Sequence, residues 1–295
     1  MILAIIAALL LLPLPVAAAE ARVEAVRVTA TASARTLNAD LLEKAPAVTD
    51  FAQREPSEGS PPSQLTEFRV AFDASTLYVK VRAYDREPEK IVTYLTRRDD
   101  DSPCDWIRVL IDSYHDRRTA YEFAVNPDGV KQDRYWFNDN NNDKSWDAVW
   151  DVTVSRDQNG WTAEFRIPFS QLRFTPSDTG TWGFAISRDI GRLKETNTWP
   201  LLSRNANGYV SSFGELGGLA TANAPKGMEI VPYTVASLTR QRTGGNPLQS
   251  ASGLDGAVGL DLRYALTPGL TVTATVNPDF GQVEADPAVV NLSAF

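Results

Sequence analysis

Phe68-Arg69-Val70-Ala71-Phe72, then Asp73-Ala74-Ser75-Thr76, then Leu77-Tyr78-Val79-Lys80-Val81-Arg82-Ala83-Tyr84 is the stretch whose reading decides the fold. Successive side chains of an extended chain point to opposite faces, so Leu77, Val79, Val81 and Ala83 share one side. Tyr78, Lys80, Arg82 and Tyr84 share the other. Two such runs around a short Asp/Ser turn predict a β-hairpin with one buried and one wet face.

The same period of two recurs at 106–113, 120–126, 132–138, 150–155, 160–167 and 181–188, between turn clusters such as Asn126-Pro127-Asp128-Gly129 and Asp157-Gln158-Asn159-Gly160. Many short strands at this spacing predict an all-β antiparallel sandwich, jelly-roll-like. Residues 86–98 are the one place where a short helix is expected. No repeat of fixed period is visible.

The texture changes at both ends. Residues 2–19 are apolar or small, carry Pro13 and Pro15, and end Ala17-Ala18-Ala19-Glu20, the shape of a cleaved signal peptide although no Lys or Arg precedes Arg22. An uncleaved anchor is the alternative. Residues 20–36 are expected as a tether and 37–219 as the sandwich. A boundary follows at 220–226, and 227–295 carries longer alternating strands at 228–240, 255–266 and 270–277. Val258, Leu260, Leu262, Tyr264 and Leu266 face away from Gly259, Asp261, Arg263 and Ala265. That apolar-out, polar-in code matches strands of an outer-membrane barrel; a hairpin packed on the sandwich is the other reading.

With 29 Lys+Arg against 37 Asp+Glu, the net charge is −8, which argues against nucleic acid as a partner. The single cysteine, Cys104, cannot form an internal disulfide, and the single histidine, His115, excludes a multi-histidine zinc site.

Sorting tryptophans by strand face separates core from candidate site. Trp150, Trp161 and Trp182 fall on apolar faces and are expected in the core. Trp106 shares a face with Arg108, and Trp136 with Arg134. An aromatic on a polar strand face is what stacks on the C–H side of a pyranose while charged neighbours bind its hydroxyls. Trp106 and Trp136 are the platform candidates, with Arg108, Arg134, Tyr78 and Arg82 as hydroxyl-binding partners. The alternative is that the two tryptophans cover a sheet edge or lie beneath a loop. Lys80, Glu164 and Arg166 also point outward, where a solvated face accounts for them equally well.

Two loops concentrate oxygen ligands suited to calcium: Asp99, Asp100 and Asp101, and Asn138 to Asp143 with Asp139 and Asp143. The second lacks the glycine and the final carboxylate of an EF-hand. Asx-rich turns form without metal, so both readings stand. No catalytic set is visible: there is no nucleophile elbow, no phosphate loop and no dinucleotide fingerprint.

Ile111-Asp112-Ser113-Tyr114-His115-Asp116-Arg117-Arg118-Thr119, Asn126-Pro127-Asp128-Gly129, Ser145-Trp146-Asp147-Ala148-Val149-Trp150 and Gly160-Trp161-Thr162-Ala163-Glu164-Phe165-Arg166-Ile167-Pro168-Phe169 together resemble the family 9 carbohydrate-binding-like domain that opens many envelope proteins. The resemblance spans roughly 37–219. It implies a β-sandwich, binding of an oligosaccharide or polysaccharide, calcium, and a link to xylan-like polysaccharide breakdown by glycosyl hydrolases. The usual acidic-Pro-Val-Trp segment near the domain start is missing, since 38–46 holds no tryptophan. Asn277-Pro278-Asp279-Phe280-Gly281-Gln282-Val283-Glu284-Ala285-Asp286-Pro287 resembles the opening of the outer-membrane-barrel-like domain that follows such sandwiches. The expectation is an exported carbohydrate-binding protein of the periplasm or outer membrane. A docking domain that binds no sugar is the runner-up, and a glycosidase the third.

Overall fold

The computed structural model describes residues 21–29, 42–175, 179–220, 222, 228–240, 252–267 and 270–277. The hairpin forms as the alternation requires. Strand β4 (Thr66–Phe72) meets β5 (Thr76–Tyr84) with Phe72 opposite Leu77. Asp73 closes the turn, its Oδ1 accepting the backbone N–H of Ser75 and of Thr76, both at 2.8 Å. This is how a short acidic side chain stabilises a tight turn.

The hairpin lies inside a five-stranded sheet, in the order β10 (Asp151–Asp157), β11 (Gly160–Pro168), β5, β4, β2 (Val26–Arg27). Gly160 has to be glycine: φ is +132°, and a Cβ there would lie 2.1 Å from the carbonyl oxygen of Ala83. The facing sheet is nine-stranded. Its main path is β1 (Arg22–Glu24), β14 (Gly214–Gly217), β12 (Trp182–Ile190), β6 (Trp106–Asp112), β7 (Ala120–Val125), β8 (Lys131–Phe137) and β9 (Asn141–Asp143). Strand β13 (Glu195–Trp199) joins β12 and carries β3 (Ala52–Glu55). The sandwich is thus all-β, as expected.

The core fills the space between the sheets. Phe68, Trp199 and Phe184 meet edge-on or tilted, with Phe68 and Trp199 centroids 5.0 Å apart, and Trp150 stacks on Phe165 at 5.7 Å. Trp150, Trp161 and Trp182 all belong to it, where strand alternation placed them. A buried charge bridges this layer. Arg188 of β12 is fully buried and donates to the carbonyls of Leu65 (2.9 Å) and Tyr84 (2.8 Å) and to the Thr66 hydroxyl (3.1 Å), so it pins the large sheet to the β4–β5 hairpin.

Two local expectations fail. Residues 22–27 are part of the sandwich and not a tether: β1 pairs in parallel with β14, β2 pairs in parallel with β4, and Val23 and Ala25 are buried. Too few alternating residues were available there to signal a strand. Residues 86–98 hold a single 3₁₀ turn, Pro88–Lys90, in place of a helix.

The C-terminal strands form a separate three-stranded sheet, β15 (Met228–Arg240), β16 (Ser252–Thr267) and β17 (Leu270–Val276). In this register Ile230, Leu238, Leu254, Val258, Tyr264, Val272 and Val276 share one face, and all are exposed, Leu254 at 79 % and Val258 at 68 %. Asp261, Thr273 and Thr275 lie on the other face. Among the described residues no helix is long and apolar enough to cross a membrane, which leaves strands untouched. The N-terminal stretch expected as a signal peptide, residues 241–251 and residues 278–295 lie outside the described residues.

Candidate functional site

The six residues read as a binding set divide between the two outer faces. Tyr78 and Arg82 alternate with core residues of β5 and lie on the outside of the small sheet. Tyr78 is 3 % exposed, covered by Val28 and Leu42, with its hydroxyl donating to Asp73 at 2.8 Å. Arg82 pairs with Asp157 at 2.7 Å and donates to Thr162. Neither adjoins the tryptophans, so both leave the binding set. The other four lie on the outside of the large sheet, where cross-strand register places Glu122 opposite Leu110 on one side and Arg134 on the other, and Ala120 opposite Trp136.

Trp106 is 2 % exposed and cannot offer a stacking face. It packs with Cys104, Ala124 and Val130 beneath the irregular segment that follows β5, and its indole N–H donates to the Ser102 carbonyl at 3.0 Å. The reading beneath a loop is the one the structure bears out. Sequence period alone fixes the face of a strand but not what covers it.

Trp136 stays half-buried. Its Nε1 donates to Glu122 Oε2 at 2.7 Å, and its ring lies against Tyr209, centroids 4.5 Å apart and planes 36° from parallel. Glu122 is 2 % exposed, and its other oxygen faces Arg108 Nε at 3.3 Å without hydrogen-bond geometry. Arg108 also donates to Asp189, which takes a further hydrogen bond from the Thr196 hydroxyl at 2.8 Å. Burial alone would lower the Arg108 pKa, yet Asp189 and Glu122 more than offset it and hold the guanidinium charged. Arg54 of β3 lies over the Tyr209 ring at 5.5 Å, with a buried Nε that makes no hydrogen bond. Burial, then the nearby Glu122, raises the Tyr209 phenol above its usual range, so it remains a neutral donor. The result is an aromatic pair beside a charged array with two unsatisfied polar atoms, chemistry suited to a polyol. Tyr209 and Arg54 were missed from the sequence because neither lies in a run long enough to show a face.

The carboxylates of the acidic loops bind protein groups. Asp139 accepts from Ser211 twice, N–H at 2.9 Å and hydroxyl at 2.8 Å, and so ties down the turn Val210–Ser212 next to Tyr209. Asp143 takes the N–H and hydroxyl of Ser145 at 2.8 and 2.7 Å. Asp101 bridges Arg134 (2.6 Å) and Lys144; burial alone would raise its pKa, but the two cations keep it below the usual range. Asp99 accepts the Asp133 N–H at 3.0 Å, and burial, its largest influence, raises its pKa. Asp100 contributes its carbonyl, to Gln132 at 2.6 Å. Among the described residues no three His, Cys, Asp or Glu side chains converge as a metal site would require. The carboxylates of these two loops are thus engaged by protein donors and basic side chains. Arg134, through Asp101, belongs to this loop lock and leaves the sugar-binding set.

Comparison with known proteins follows the same division. No curated protein is a significant match. Among solved structures, a candidate carbohydrate-binding protein from Bacteroides uniformis aligns over 67 % of this chain and 99 % of its own, at 13 % identity and a TM-score of 0.51, which supports the fold. A family 9 carbohydrate-binding module from Caldicellulosiruptor kristjanssonii, solved with glucose, aligns over 66 % of this chain and 94 % of its own at 14 % identity and a TM-score of 0.46. The same module with cellotriose gives 16 % identity, 66 % and 92 % coverage and a TM-score of 0.46. Residues 224–295 match the domain of unknown function DUF5916. Residues 39–194, more than half of the 295, match the carbohydrate family 9 binding domain-like model, and the chain belongs to that family.

Proposed function

We propose that the sandwich binds carbohydrate on the outer face of its large sheet and serves the capture of oligosaccharide or polysaccharide by an exported envelope protein. The observation that carries this reading is the half-buried pair Trp136 and Tyr209 beside Arg108 and Glu122, on a sandwich of family 9. Aromatic surface supplies contact with the C–H faces of a sugar, and fixed charges supply its hydrogen bonds. The full chain screened against a glycan array tests it. Binding that Trp136→Ala weakens supports the reading, and no binding to any glycan overturns it.

A second reading concerns β15, β16 and β17. We infer that this sheet faces lipid as part of an outer-membrane β-structure. Support comes from the single exposed apolar face running through all three strands while the reverse face carries Asp261, Thr273 and Thr275. Flotation of the full chain with phospholipid vesicles checks it. Val258→Asp, at the centre of that face, should abolish co-flotation; equal recovery of both proteins free of vesicles contradicts it.

A further inference from the structure

We infer that the far end of the large sheet carries a second saccharide-binding surface, on the face opposite Trp136, built from Tyr135, Phe137, Trp146 and Asn141 with Arg173 beside them. Only the ligand class rests on the carbohydrate reading above; the position does not.

Alternation sends Tyr135 and Phe137 toward the small sheet, where both would be core if the two sheets were equally wide. They are not. Strand β9 is wholly exposed, and the inward positions of β8 pass from buried Asp133 through half-buried Tyr135 to Phe137, 36 % exposed. The large sheet overhangs, and its apolar lining emerges into solvent. A bare sheet end is ordinarily blunted by charge or covered. Here it is faced with rings.

Those rings are held in place. Tyr135 and Trp146 both lean on the buried Tyr121, at 5.4 and 5.0 Å between centroids, and Trp146 also meets Phe123 edge-on at 5.7 Å. Fixed aromatic surface loses little entropy on binding. Polar groups stand beside it. Asn141 lies directly across from Phe137 in the β8–β9 register and is exposed, and no hydrogen bond of its amide to the described residues is seen. Arg173 is exposed, its charge acts on Tyr135, and its backbone carbonyl takes the Ser113 hydroxyl at 2.6 Å. Burial raises the Tyr135 phenol, which keeps it a neutral donor. Rings with an amide and a guanidinium that no described side chain engages suit a neutral pyranose, and β-1,4-linked sugars with equatorial hydroxyls present the flat C–H faces that would lie along β8.

The test is calorimetric titration of the full chain with cello-, xylo- and chito-oligosaccharides, for the parent protein and for Phe137→Ala, Asn141→Ala and Trp136→Ala. Both Phe137 and Asn141 are exposed, so these variants should keep the parent melting temperature. The expected result is two classes of site: Phe137→Ala and Asn141→Ala each weaken one of them, Phe137→Ala by about ten-fold, and leave the other to be lost with Trp136→Ala. A single class, unaltered in the Phe137 and Asn141 variants and lost with Trp136→Ala, overturns this inference and spares the proposed function. Absence of binding by the parent to every sugar overturns both.

Discussion

The indole N–H of Trp136 donates to Glu122 across the β7–β8 strand pair, and the carboxylate it reaches is nearly sealed from water. That one hydrogen bond fixes the ring on the outer face and satisfies an oxygen that would otherwise be buried unpaired. Trp136→Phe keeps the ring and deletes the donor. It should destabilise the sandwich by about 1.5–3 kcal/mol, the worth of a hydrogen bond to a charged group. Urea unfolding measures it, and a change below about 0.5 kcal/mol would mean that the carboxylate finds water.

Asp139 ties the Val210–Ser212 turn to the end of β8. Asp139→Ala should cost about 0.5–1.5 kcal/mol and loosen Tyr209, because it removes two hydrogen bonds at an exposed turn. Chelator should leave the melting temperature of the parent unchanged. A fall on chelation that matches the loss in Asp139→Ala would return the loop to a metal-binding role.

Asp105 is fully buried and accepts the Gly191 N–H at 3.0 Å, and its other oxygen has no hydrogen-bond partner among the described residues. Burial is the main cause that pushes its carboxyl up to about 6. The folded protein then keeps a proton that the unfolded chain gives up near pH 4. The stability this group contributes is present in full below that value and is lost as pH rises through 6. Asp105→Asn should therefore gain about 2–3 kcal/mol over the parent above pH 7 and little near pH 3. Unfolding free energies that stay parallel across that range would contradict the assignment.

Burial also ranks the arginines. Arg188→Ala, which removes the pin between the sheets, should cost about 3–5 kcal/mol, because it strands buried carbonyls and takes away a positive charge that offsets Asp105. Arg82→Ala, which breaks a pair with the half-exposed Asp157, should cost about 1 kcal/mol or less. Equal effects in thermal melts would show that the sheets are held without Arg188.

The comparison of these residues shows what a period of two can tell. Alternation along 150–155, β11 and β12 placed Trp150, Trp161 and Trp182 in the core, since pleat geometry alone decides a side chain's face. It put Trp106 and Trp136 on the same outer face with equal right. Only the path of residues 91–105 buries the first, and only residues 200–213 bring Tyr209 to the second. Coverage by irregular chain is a tertiary property with no local signal. The same holds for Phe137, exposed because one sheet is wider than the other, and for β1 and β2, short strands that exist through the edges they join. Asp139 suits both a calcium ligand and a turn lock for one reason, a short side chain with two acceptors.

The most direct test of the account is titration of the full chain with the best glycan from an array, for the parent and for Trp136→Ala, at equal protein concentration. The account predicts saturable binding by the parent and a loss of about ten-fold or more in Trp136→Ala, from the missing ring face and the displaced Glu122. Parent and variant binding alike, or neither binding any glycan, would contradict it.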